Sequence, residues 1–218
     1  MTTGSNEREA TIDAFHHLYY DHPEATWDNT YWLGVPTQKC PLDLWVYQEI
    51  IVEQRPDVII ECGTCKGGSA LYLASICDLT KSGRIFTIDI EPGRSRPDHK
   101  RVRYILGSST DPAVVDTVGQ QIRPNDRVLV ILDSDHSKDH VLNELRAYAP
   151  MVTTGSYIIV EDTNINGHPV YAEFGPGPME AVEEFLATNA EFEIDTSREK
   201  FLMSFNPRGW LRRINTAA

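Results

Sequence analysis

Positive charge is scarce in this chain: 20 lysines and arginines stand against 32 aspartates and glutamates, a formal net charge of -12 at pH 7. A surface so poor in basic residues excludes nucleic acid as the expected partner, because neutralising phosphates requires a basic patch. It equally disfavours an anionic membrane surface. Cysteine is sparse too. Cys40, Cys62, Cys65 and Cys77 do not make a disulfide framework. No apolar run approaches membrane-spanning length, and the opening "MTTGSNEREATIDAF" lacks the apolar centre of a secretory signal. A cytoplasmic protein with reduced thiols and no membrane insertion is expected. What is present is ordinary for a globular chain: 218 residues, 41% hydrophobic and 24% charged, which suits one α/β domain.

Two parts are expected, an N-terminal helix and aromatic strap over residues 1–40 and a main domain over 41–218. Residues 7–20 read as a short amphipathic helix, and "YYDHPEATWDNTYWLGVPTQKC" (19–40) is aromatic and aperiodic. From Pro41 a regular alternation begins. "DVIIE", "RIFTIDI", "RVRYIL", "RVLVIL" and "SYIIVE" read as strands, with helices predicted over 41–54, 68–79, 111–122, 138–149 and 178–189. "EFEID" and "FLMSF" read as a closing antiparallel hairpin. Strand–helix alternation of this kind predicts a mostly parallel sheet covered on both faces, with the last strand antiparallel.

The segment "VIIECGTCKGGSALYLA" carries two competing signals. Cys62 and Cys65 form a C-x-x-C pair before a helix, which is a thiol redox layout. Gly63, Gly67 and Gly68 make a glycine-rich turn between the first strand and the first helix, where open parallel sheets bind ligands. Asp89, at the end of the next strand and 21 residues beyond Gly68, is placed to accept both hydrogen bonds of a ribose diol. A dinucleotide fingerprint needs glycine in the middle position, which here is Cys65, and no Walker G-K-[ST] follows. The cofactor expected is one with a ribose but no pyrophosphate on this loop; S-adenosylmethionine fits. A thiol site would leave Asp89 unexplained, and a zinc knuckle would need a second C-x-x-C pair.

Two further strand ends carry oxygen ligands, Asp133 in "VLVILDSDHSKDH" and Glu161-Asp162 in "YIIVEDTN". On neighbouring strands the three would converge at one carboxyl edge, where they repel unless a cation separates them. All-oxygen ligation suits Mg²⁺ or another hard divalent cation, which would polarise a bound hydroxyl. Singly, each carboxylate could equally cap a helix or be a solvated strand end. His136, three residues after Asp133, is a candidate general base. With His140 it forms H-x-x-x-H, but the glutamate of a metalloprotease motif is missing. His168 lies on a Gly/Pro-rich loop and is expected to be exposed.

Taken together, "GVPTQKCPLDLW", "IIECGTCKGGSALYLA", "FTIDI", "LDSDH", "YIIVEDTNINGHPV" and "SFNPRGWLRR" resemble the cephalosporin hydroxylase-like / rhamnosyl O-methyltransferase family. The resemblance runs from about residue 20 to the end of the motifs. It implies a Rossmann-like class I methyltransferase fold with a seven-stranded sheet. It also implies that Gly63, Gly67, Gly68 and Ser69 hold the methionine part of S-adenosylmethionine and that Asp89 binds its ribose. Ser109, in "GSS", borders the adenine; Glu61 and Asp133 complete the cofactor-binding set. Asp133, Glu161 and Asp162 match the family's metal ligands, and His136 its base, so that His136 and Asp133 form the catalytic pair. The expectation is a Mg²⁺-dependent O-methyltransferase acting on a hydroxyl of a sugar or glycosylated metabolite, and a homo-oligomer, guessed to be a dimer. Two rivals remain, a nicotinamide-dependent dehydrogenase and a non-catalytic cofactor-binding protein of the same fold.

Overall fold

The computed structural model describes residues 3–24, 26–93 and 95–214. Helix α1 (Thr3–Tyr20) leads into a strap containing a two-residue antiparallel ladder, β1 (Tyr31–Trp32) with β2 (Val35–Pro36). The main domain then alternates: α2 (Pro41–Gln54), β3 (Val58–Cys62), α3 (Gly68–Thr80), β4 (Arg84–Asp89), β5 (Val102–Leu106) and α4 (Pro112–Gly119). It continues with β6 (Val128–Leu132), α5 (Lys138–Tyr148), β7 (Tyr157–Val160), α6 (Pro178–Thr188), β8 (Phe192–Ile194) and β9 (Trp210–Arg213). Met1 and Thr2, which open the expected N-terminal part, lie outside the described residues. Among the described residues, no helix is long and apolar enough to cross a membrane.

Strand order is β5-β4-β3-β6-β7-β9-β8, with β9 antiparallel to both neighbours. The chain therefore runs outward from β3 in one direction, then returns and runs outward in the other. Side chains alternate across each central strand, yet both faces are apolar. Val58, Ile60 and Cys62 of β3 join Val141, Leu145 and Phe185 on one face, while Ile59 joins Tyr47, Ile50 and Leu73 on the other. Such doubly buried strands lose the polar/apolar alternation of a half-exposed sheet. Register positions the site: Cys62 lies opposite both Ile88 and Leu132, and Leu132 opposite Val160. The next residues, Gly63, Asp89, Asp133 and Glu161, therefore emerge together at one carboxyl edge beside the reversal in strand order, where such sheets bind ligands.

The expected hairpin strand "FLMSF" is corrected by the structure. A 3-10 turn covers Thr196–Glu199, Phe201 and Leu202 are exposed, and the antiparallel strand is "WLRR" instead. Two contacts divert the earlier segment: Phe205 N–H donates to the buried carboxylate of Asp43 (2.8 Å), and Met203 and Phe205 pack on Cys40 and Tyr20. Trp210 and Leu211, adjacent in sequence, are both fully buried on opposite faces, so this strand shows no period-2 pattern.

The same segment anchors α1. His16 stacks on Phe205 (centroids 5.7 Å apart, planes 4° apart), and Asn164 Nδ2 lies 2.9 Å from His16 Nε2. Burial, then the neighbouring His17, lowers the His16 pKa from 6.5 to about 4. A depressed pKa means the stabilisation is full above pH 6.5 and is lost as pH falls towards 4. The stability gap between the native chain and His16→Gln, read from urea midpoints, is expected to narrow steadily across that window. A gap independent of pH would show that His16 is not buried in its neutral form.

Candidate active site

The loop after β3 is shaped by close backbone approaches. Gly63 has φ +94°, and a Cβ there would stand 1.8 Å from the carbonyl oxygen of Asp133. Only glycine allows that approach. Gly68 meets a different neighbour: a Cβ would lie 2.2 Å from the carbonyl oxygen of Pro36, so the strap rests on the first turn of α3. Gly67 is flanked by Pro97 and Tyr104. Ser69 is buried, and the carboxylate of Glu61 accepts from Thr87 Oγ1 (2.6 Å). Burial, opposed by Lys39, raises the Glu61 pKa to about 7.

The two cysteines of C-x-x-C part company. Cys62 is fully buried in the core, where burial pushes its thiol well above the ordinary range, whereas Cys65 is exposed on the loop. They are free thiols, not a disulfide.

A cleft of about 1060 Å³ opens over this edge, lined by Gly63, Asp89, Arg96, Ser109, Asp133 and Ser134 among others. Asp89 Oδ2 accepts from Cys65 N–H (2.8 Å) and from Arg96 (2.8 Å), while Oδ1 accepts from Glu91 N–H (2.8 Å). Each carboxylate oxygen has two lone-pair sites, so Oδ1 keeps one for a further donor. Behind Ser109 and Ser134 lies Glu144, completely buried, whose Oε1 accepts from both serine hydroxyls. Its hydrogen bond with His140 raises that imidazole's pKa. Gly67, Gly68 and Ser69 are covered by the chain itself, whereas Gly63, Asp89, Ser109 and Asp133 face the cleft.

At one end of the cleft the carboxylates gather. Among the described residues, ligand atoms of Asp133, His136 and Asp162 lie within 4.8 Å of one another, with His136 Nε2 3.3 Å from Asp162 Oδ2. Glu161 is turned to other partners: its Oε1 accepts from Tyr47 (2.6 Å) and from Lys39 Nζ (2.5 Å). Lys39 also pairs with Asp133. Burial raises all three carboxylates above their ordinary range, against the pull of Lys39 on Asp133 and Glu161 and of His136 on Asp162. Burial alone would lower the Lys39 pKa, but Asp133 and Glu161 outweigh it and the net shift is upward. The carboxylate oxygens of Asp133 and Asp162 are the donors that suit a hard divalent cation, and His136 stands beside them.

Lys39 and Arg96 are the site residues that sequence reasoning missed. Lys39 stands inside "GVPTQKCPLDLW", but nothing local distinguishes it from an exposed lysine. His168, expected to be exposed, instead lies 2.9 Å from Glu180 Oε1 with its side chain 35% exposed.

Residues 24–214 match the family model described as Rhamnosyl O-methyltransferase/CmcI. The chain belongs to that family. The rhamnosyl O-methyltransferase of Mycobacterium tuberculosis (strain ATCC 25618 / H37Rv) is 38% identical over 216 residues, covering 94% of this chain and 86% of that relative. The rhamnosyl O-methyltransferase of Mycobacterium leprae (strain TN) is 35% identical over 214 residues, covering 94% and 91%. Among solved structures, one described as "cmcI-D160 Mg-SAM" superposes with a TM-score of 0.68 at 21% identity, covering 86% of this chain and 78% of that one. At that identity the likeness is one of fold. The sheet order, with the cleft at the reversal of strand order, is that of the Rossmann-like class I methyltransferase fold.

Proposed function

We propose that this member of the Rhamnosyl O-methyltransferase/CmcI family transfers a methyl group from S-adenosylmethionine to a hydroxyl of a rhamnosyl or related sugar acceptor, assisted by Mg²⁺. The observation that carries the reading is the cluster of Asp133, His136 and Asp162 beside the cleft that Asp133 lines. When bound, the sulfonium donor supplies an electrophilic methyl group and the divalent cation polarises the acceptor hydroxyl.

The chain's own residues do the rest. Asp89 accepts from the ribose, and the backbone of Gly63 lines the donor's part of the cleft. Ser109 and Ser134 each direct their single proton to Glu144 and share His140 Nε2 (3.1 Å from each), so each hydroxyl keeps one lone pair that suits the amine of adenine. Asp133 and Asp162, with Glu161, hold the cation. His136, with 30% of its side chain exposed, takes the proton from the acceptor oxygen. Alignment of donor and acceptor is the larger contribution, since positioning alone can supply roughly 7–11 kcal/mol of such a barrier.

The test is transfer of labelled methyl from S-adenosylmethionine to rhamnosides, compared with phenolic acceptors, with Mg²⁺ or with EDTA. Rhamnoside methylation that EDTA removes and Mg²⁺ restores is the expected result; preference for phenols would redirect the acceptor class. In the same assay His136→Ala is expected to lower kcat by about 10²–10⁴-fold. Its KM for S-adenosylmethionine should stay near that of the native chain. Unchanged kcat would take His136 out of the proton transfer.

A further inference from the structure

The strap delivers one cation into the acidic cluster. The Lys39 side chain is 5% exposed, and its ammonium meets Asp133 Oδ2 and Glu161 Oε1. Local bonds fix its approach: Lys39 N–H donates to Thr30 Oγ1 (3.1 Å), and Thr37 N–H donates to Thr30 O (2.9 Å). A buried ammonium persists only with partners, and buried carboxylates need a compensating charge as much as the lysine does. Two of the three carboxylates are thus served by a positive charge that belongs to the chain. Glu161 Oε1 receives a second donor from Tyr47, so this oxygen is already satisfied from within.

We infer that Lys39 is the counter-ion of the metal-free site, holding the Asp133/Glu161 pair until a divalent cation takes those oxygens and displaces its ammonium. This rests on the metal-binding reading proposed above. Its consequence is that the chain folds without metal and that metal binds against an internal competitor. A lysine that only oriented the ligands would have the opposite effect, because its loss would loosen them and weaken the ion's hold.

Lys39→Met separates the two, since methionine keeps a long unbranched stem and discards the charge. Mg²⁺ is titrated calorimetrically into the EDTA-treated, dialysed full-length chain, native and variant, and thermal unfolding is followed with and without Mg²⁺. The expected result is Mg²⁺ binding at least about tenfold tighter in Lys39→Met. The variant should also unfold at a lower temperature than the native chain without metal, with the deficit closing at saturating Mg²⁺. A variant that folds only with Mg²⁺ supports the inference equally. Equal or weaker Mg²⁺ binding overturns it, as does a variant that stays unfolded even with Mg²⁺, because the ion should replace the missing charge. Absence of Mg²⁺ binding by both proteins would instead remove the metal reading itself, and the inference with it.

Discussion

Asp133→Asn is expected to abolish methyl transfer, lowering kcat by at least about 10³-fold, because an electrostatic contact used at the reacting centre is lost. Asp133 sits where three arrangements meet. Its backbone N–H donates to Cys62 O (2.8 Å), its carbonyl oxygen faces Gly63, and its carboxylate joins Lys39 and the His136/Asp162 group. Asparagine keeps the shape and the backbone contacts while removing the charge. Folding should therefore survive, with Glu161 still pairing Lys39. S-adenosylhomocysteine should bind within about tenfold of the native affinity, since Asp89 and Ser109 are untouched. Methyl-transfer kinetics with a calorimetric titration of S-adenosylhomocysteine would check both halves. A variant retaining a tenth of native kcat would show that the carboxylate is not part of the chemistry.

The largest expected effect on stability belongs to Gly63→Ala. The new Cβ would stand 1.8 Å from one backbone atom of Asp133 and 2.5 Å from a second, at φ +94°. Neither neighbour is a movable side-chain tip; both are backbone atoms of the residue that follows β6, whose N–H donates to Cys62 O (2.8 Å). Left-handed strain and overpacking together are expected to cost on the order of 3–5 kcal/mol. Gly67→Ala is the control. It shares the positive φ, but its tightest contact is the Pro97 side chain at 3.0 Å, so a smaller loss is expected. Denaturant midpoints of the two variants give the comparison. Equal losses would mean that the loop's conformation, rather than its closeness to Asp133, demands glycine at 63.

Much of the fold could be read from residue order. Strand–helix alternation located the central strands to within a residue or two, and Pro112 and Pro178 stand in the first turns of α4 and α6. The closing hairpin could not be read so well. "FLMSF" has the composition of a strand but is drawn away by Asp43 and by the strap, and "WLRR" is a strand without alternation because it is buried on both faces. The glycine loop was legible for a chemical reason: Cys65 at the place of the middle glycine is incompatible with a pyrophosphate lodged there. What its glycines touch was not legible. Gly68 lies under the backbone of Pro36 and Gly63 under that of Asp133, both far along the chain.

The acidic cluster divides the same way. Residue types at strand ends were enough to name Asp133, Glu161, Asp162 and His136, because a parallel sheet brings every strand's carboxyl end to one edge. That rule is topological and follows from the alternation alone. The charge balance among them was decided only in three dimensions. Lys39 lies 94 positions before Asp133, on a strap whose path no periodicity describes, and only its packing over α3 brings an ammonium between two carboxylates. Local spacing encodes which groups share an edge, whereas pairing across distant segments depends on the route of the chain, and that route is settled by the packing of the whole core.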